Sequence, residues 1–208
     1  MAPKAPEHSA EFFDNANFEG RNHLYSLNAV NHLYPKKIVD VYHSLSTGLG
    51  TKVHCWHHLD SIGRHAELEG DYATLAAAGD LTCFSVDKDD TQVIQFNFVD
   101  KTGGKPKDYS LALDLHGIGR KILYSNDGSD YNLAGKISPS SGPVTTAVFL
   151  RNEKTGVYLS TGSIYFVWNA QKKEVDIDSE KFWPKQLKHE RQGPTQFLIT
   201  LVSNTPTK

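Results

Sequence analysis

"TKVHCWHHLDS" at 51–61, "RKILYSNDGS" at 120–129 and "SIYFVWNAQKK" at 163–173 each run from an alternating apolar strand into an aromatic residue and then a polar turn. Trp56, Tyr124 and Trp168 close three look-alike segments, and such repetition bears on architecture before any single element does. Upstream lie "LYSLNAVNHLYPKKIVDVY", "VIQFNFVDKTGGKPKDYSLALDL" and "AVFLRNEKTGVYLST", each a strand, a turn holding Asn or Asp, and a second strand. Asp40 and Asp114 fall in matching "VDV" and "LDL" triplets, while "TCFSV" and "TQFLITLV" read as closing strands. The pattern predicts three copies of a four-stranded unit.

The rest of the chain agrees with an all-β class. Its apolar runs are strand-length, many alternate in polarity, and Gly, Pro, Asn or Asp fills the gaps. Two stretches break the pattern. "HAELEGDYATLAAAG" at 65–79 is Ala-rich, and "SEKFWPKQLKHE" at 179–190 offers Ser179 as a cap, so both read as short helical insertions. Residues 1–11 read as a flexible polar arm.

At 208 residues the chain is long enough to bury a core without metal or disulfide help. A net charge of −2 and a pI near 6.5 argue against a nucleic-acid or anionic-membrane partner. No stretch of about 18 apolar residues suggests a membrane span, and the opening residues hold no signal-peptide core, which predicts a cytoplasmic protein. Cys55 and Cys83 read as small buried hydrophobes, with their pairing left open.

Taken together, the triplicated units, the "LDL"-like second strands and the "TKVHCW" third strand resemble the ricin-B type β-trefoil lectins. "VFLRNEKTGVYLST" at 148–161 also resembles fascin-like trefoil repeats. The resemblance implies a single β-trefoil over 12–208, with units at about 18–87, 88–144 and 145–203. The chain departs from that family in lacking its Gln-x-Trp signature, for which Gln196-Phe197-Leu198 stands nearest, and in a long insertion around 62–80.

In such lectins an acidic residue of the second strand accepts hydrogen bonds from sugar hydroxyls. An aromatic of the third strand stacks on the sugar face, and a polar side chain in the next turn completes the grip. Carried over, unit one supplies Asp40, His54, Trp56 and Asp60, and unit two Asp114, Tyr124, Asn126 and Asp127. Unit three has Trp168 and Asn169 but Ser160 and Thr161 in place of the acid, and is expected to be weak. The resemblance thus implies a carbohydrate-binding protein without cofactor, whose partners are glycans or another small neutral ligand, in an oligomeric state the sequence leaves open.

Rival readings stand beside it. His54, Cys55, His57, His58 and His65 are all metal-ligand types, but alternation on one strand sends His54 and Cys55 to opposite faces, so no metal site is expected. No nucleophile elbow, P-loop or dinucleotide fingerprint occurs, and no catalytic residue is assigned. A protein-binding trefoil such as a protease inhibitor would present "KISPSSGPVT" at 136–145 as a projecting loop. A trefoil enzyme would build a pocket from the two insertions.

Overall fold

The computed structural model describes residues 4–33, 35–58, 62–76, 79–115, 119–126, 131–140, 142–178 and 184–205. It divides into two units, residues 1–91 and 92–208. Strands dominate both.

In the first unit, β1 (Ser9–Phe13) is buried at all five positions, although the sequence reading placed most of it in a flexible arm. It pairs antiparallel with β2 (Asn22–Ser26), so that Phe12 lies opposite His23. The connection carries left-handed backbone at Asn17, Phe18 and Gly20. Only glycine adopts that conformation at no cost. Here the Phe18 N–H donates to Ser44 Oγ at 2.9 Å and the Asn17 N–H to the Ala73 carbonyl at 2.8 Å, which hold the strained turn in place. Then come β3 (Val30–His32), a one-turn helix α1 (Ile38–Val41) and β4 (Ser44–Thr47). The second half repeats the order with β5 (Thr51–His58), β6 (Ile62–Leu68), β7 (Asp71–Tyr72) and β8 (Cys83–Lys88).

The two sheets run β2-β1-β4-β7 and β6-β5-β8-β3. Each half therefore lends its third strand to the other half's sheet, a twofold duplication with Greek-key crossing. Phe12 sits at the centre of the core, its ring 4.5 Å from Phe84, 4.9 Å from Tyr42 and 5.6 Å from Tyr25. Gly48 is required by close approach: its N–H donates to the Ser9 carbonyl, and a Cβ there would come within 1.8 Å of the Pro6 carbonyl oxygen.

The second unit is a two-sheet sandwich. One sheet orders β11 (Gly119–Tyr124), β10 (Tyr109–Leu115), β13 (Val144–Asn152), β14 (Tyr158–Asn169) and β15 (Glu174–Asp178). The other orders β16 (Leu187–Arg191), β17 (Gln196–Leu201), β9 (Gln92–Asp100) and β12 (Asn132–Ile137). β17 pairs with β9 in parallel, while the other pairs are antiparallel. Phe96 of β9 packs against Phe166 of β14 at 5.8 Å and against Phe197 of β17 at 6.1 Å, filling the space between the sheets.

The all-β class is what the structure shows, and the β-trefoil is not. Trp56, Tyr124 and Trp168, expected at equivalent threefold positions, have different surroundings. Trp56 is 1 % exposed on β5, Tyr124 is 39 % exposed on β11, and Trp168 is half-buried opposite Val175 on β14. In their described parts the two expected helical insertions contain strands. Over 65–68 the side chains alternate, Leu68 entering the core with Ala66 packed against it, because pairing with β5 outweighs the helix propensity of Ala, Glu and Leu. The described part of 179–190 contains β16, zipped to β17 from Leu187↔Leu201 to Arg191↔Phe197. Conversely "KIVDVY" forms α1: Ile38 and Tyr42, four residues apart, are both buried, and the Tyr42 N–H donates to the Ile38 carbonyl at 2.8 Å. The two ends of the "KISPSSGPVT" stretch belong to β12 and β13 rather than to a projecting loop.

Candidate functional site

The expected sugar-binding sets are not assembled. Asp40 is exposed on α1, where its carboxylate accepts the Lys37 backbone N–H at 2.9 Å and so caps its own helix. Trp56 and His54 are both buried, at 1 % and 0 % exposure, so neither offers a face to a sugar. Asp114 on β10 is held by Arg120 in a two-pronged ion pair, at 2.8 and 2.9 Å, which lowers its pKa below the usual carboxylate range. Asn126 is half-buried, its backbone N–H donating to the Phe98 carbonyl. Asp60 and Asp127 lie outside the described residues. Cys55 and Cys83 are both buried and are not joined in a disulfide. Cys55 packs in the core, where burial raises its pKa, while Cys83 lies opposite Trp56, on the other face.

The strand register instead gathers exposed apolar side chains on the outer face of the five-stranded sheet. Leu111, Leu113, Leu123, Val148 and Leu150 point into the sandwich, so the alternate residues point out. Ala112 lies between Ile122 and Phe149, and Ser110 between Tyr124 and Arg151, with Tyr158 beyond Arg151. Ile122, Tyr124 and Tyr158 are 47, 39 and 51 % exposed. The Arg120 guanidinium covers the Phe149 ring at 5.0 Å, and Arg151 lies 5.8 Å from Tyr158.

One end of this face is basic. The β13–β14 turn is shaped by Asn152, whose Oδ1 accepts the N–H groups of Lys154 and Thr155 at 3.0 Å, and by left-handed Gly156. It places Val157 and Tyr158 outward. The 101–108 turn docks beside it: the Glu153 N–H donates to the Asp108 carbonyl at 2.8 Å, and Lys154 Nζ reaches the Asp108 carboxylate at 2.9 Å. The Lys154 hydrogen bond, together with that of the Lys105 backbone N–H, lowers the Asp108 pKa. Lys101, Lys105, Lys107 and Lys154 are exposed on these two adjoining turns, the second of which also exposes Val157 and Tyr158. Sequence reasoning used "NEKTGVY" only as a repeat marker. The missed signal was charge counted by halves, since residues 92–208 hold 15 Lys or Arg against 11 Asp or Glu, and residues 1–91 hold 7 against 13.

The second unit thus carries a basic, aromatic-edged face, and the first is a duplicated Greek-key unit. Residues 94–202 match the family described as membrane binding, and residues 6–82 the beta/gamma crystallin family. The crystal structure of Abundant Perithecial Protein from Neurospora crassa is 40 % identical, over 99 % of this chain and 100 % of that one, with a TM-score of 0.77. The chain belongs to the Abundant Perithecial Protein family. This kinship overturns the resemblance to ricin-B type lectins, and with it the lectin function. What had looked like a triplicate was strand-length alternation common to many β proteins, and the duplication within the first unit is the crystallin one.

A beta/gamma-crystallin domain of the same Neurospora protein, crystallised in a Ca2+-bound form, is 28 % identical over 44 % of this chain, with a TM-score of 0.39. Hahellin, a beta/gamma-crystallin solved by NMR, is 18 % identical over 39 %, with a TM-score of 0.34. No curated protein sequence matches. Among the described residues no helix is long and apolar enough to cross a membrane.

Proposed function

We propose that the protein is a peripheral membrane-associating member of this family, in which the second unit docks on an anionic lipid surface and the crystallin unit is carried with it. The observation behind this reading is the exposure of Val157 and Tyr158 together with Lys101, Lys105, Lys107 and Lys154 on two adjoining turns, in a unit that matches a family described as membrane binding. Aliphatic and tyrosine side chains suit the headgroup boundary, and each lysine near an anionic surface contributes about 1 kcal/mol. The overall charge of −2, which had argued against an anionic membrane, averages an acidic first unit with a basic second one.

Ca2+ is held by the relative's crystallin domain, and three acidic side chains of this chain's first unit already have partners within the protein. The ion takes six to eight oxygen ligands, with carboxylates prominent. Here Asp14 is bound to His23, Asp71 accepts the Ser46 hydroxyl, and Asp80 pairs with Arg64 and His57. Among the described residues the converging group of three His, Cys, Asp or Glu side chains is instead rich in nitrogen.

The test is sedimentation of the full chain with vesicles of phosphatidylcholine alone or mixed with phosphatidylserine. Wild type is expected to sediment with the anionic vesicles in a salt-sensitive way. Lys105→Glu with Lys107→Glu should weaken binding by about tenfold or more, and Val157→Asp should weaken it at any salt. Equal sedimentation of wild type and variants, or none with phosphatidylserine, would refute the proposal.

A further inference from the structure

Antiparallel pairing of β5 with β6 sets His54 opposite Glu67 and Trp56 opposite His65. Side chains opposite one another share a face, and so do residues two apart, so His54, His65 and Glu67 all project to the face away from Val53, Cys55 and Leu68 of the core. His54 Nδ1 is 2.9 Å from His65 Nε2 and 3.6 Å from Glu67 Oε1, and the three ligand atoms lie within 4.8 Å of one another.

We propose that His54, His65 and Glu67 form a binding site for a divalent transition-metal ion of the zinc class, independent of the membrane-docking face. A tetrahedral ion with bonds of about 2.0–2.2 Å needs ligand atoms roughly 3.3–3.5 Å apart, and the observed separations bracket that value. Two imidazoles and one carboxylate suit Zn2+, Co2+ or Ni2+ and disfavour Ca2+.

The site is prebuilt. His54 is fully buried, and its ring stacks on that of His65 with centroids 5.1 Å apart and planes 20° from parallel. The Trp56 ring backs His65 at 5.2 Å. Lys52 Nζ holds the other carboxylate oxygen of Glu67 at 3.2 Å, leaving Oε1 turned to His54, the kind of outer contact that orients a metal ligand. Alternation on a single strand had argued against any metal, and the second and third ligands come from the neighbouring strand, in the stretch expected to be helical.

The experiment is calorimetric titration of the chelator-treated full chain with ZnCl2, followed by Co2+ absorption spectroscopy. One equivalent of Zn2+ should bind, and Co2+ should develop the visible bands of a four-coordinate site that Zn2+ abolishes and Ca2+ does not. His65→Gln and Glu67→Gln should each weaken Zn2+ by more than the roughly 10–100-fold that outer contacts cost. His57→Gln, outside the cluster, should leave it unchanged. Unaltered Zn2+ binding in His65→Gln and Glu67→Gln, or a wild type without Co2+ bands, would overturn the assignment. The wild-type bands do not depend on the variants folding.

Discussion

Trp56 is 1 % exposed, with the rings of His54 and His65 at 6.1 and 5.2 Å, so removing its side chain leaves a cavity rather than an empty binding platform. Trp56→Ala is expected to destabilise the first unit by about 3–5 kcal/mol. Asp40→Asn loses only a favourable charge in the first turn of a four-residue helix, less than about 1 kcal/mol. Urea unfolding of the two variants checks this, and similar midpoints would contradict the burial argument. At this scale the sequence shows residue types but not depth. An aromatic between histidines reads equally well as platform or core, and an Asp among β-branched residues conceals that Ile38 and Tyr42 are spaced for a helix.

The β10–β11 pair shows how single contacts combine into elements. Arg120 lowers the Asp114 pKa chiefly by donating hydrogen bonds to it, so the charged carboxylate is favoured in the folded state. That contribution is fully present above the ordinary value of 3.8 and is lost as pH falls through the lowered folded pKa. In thermal melts from neutral to strongly acid pH, wild type should exceed Asp114→Asn at neutral pH, and the two should converge in acid. The difference should be small, because the pair is exposed, and a gap that persists in acid would assign the effect to packing.

Several strands were legible in the sequence as short apolar runs: "QVIQFNFV", "YSLALDL", "SIYFVW" and "QFLITL" lie in β9, β10, β14 and β17. The twofold duplication was not, because the exchanged strands β3 and β7 are only three and two residues long, too short for any periodicity. β6 was hidden by residues that favour helix in isolation but alternate once paired with β5.

Over the whole molecule, charge is divided unevenly between the units, and exposed Val157 and Tyr158 lie on the basic one. Counterion screening at physiological salt reaches about 8 Å, so the lysines act on a membrane only when their turns are close to it. Attraction and insertion are therefore coupled at one edge. The all-β class was readable from composition and strand length, whereas the docking edge was not, because it joins two turns about fifty residues apart through the Glu153–Asp108 and Lys154–Asp108 contacts. Hydrogen–deuterium exchange of the full chain with and without phosphatidylserine vesicles tests the central claim most directly. Membrane-dependent protection should concentrate at 101–108, 119–124 and 152–158 and spare the strands of the first unit; protection centred on the first unit, or none anywhere, would contradict it.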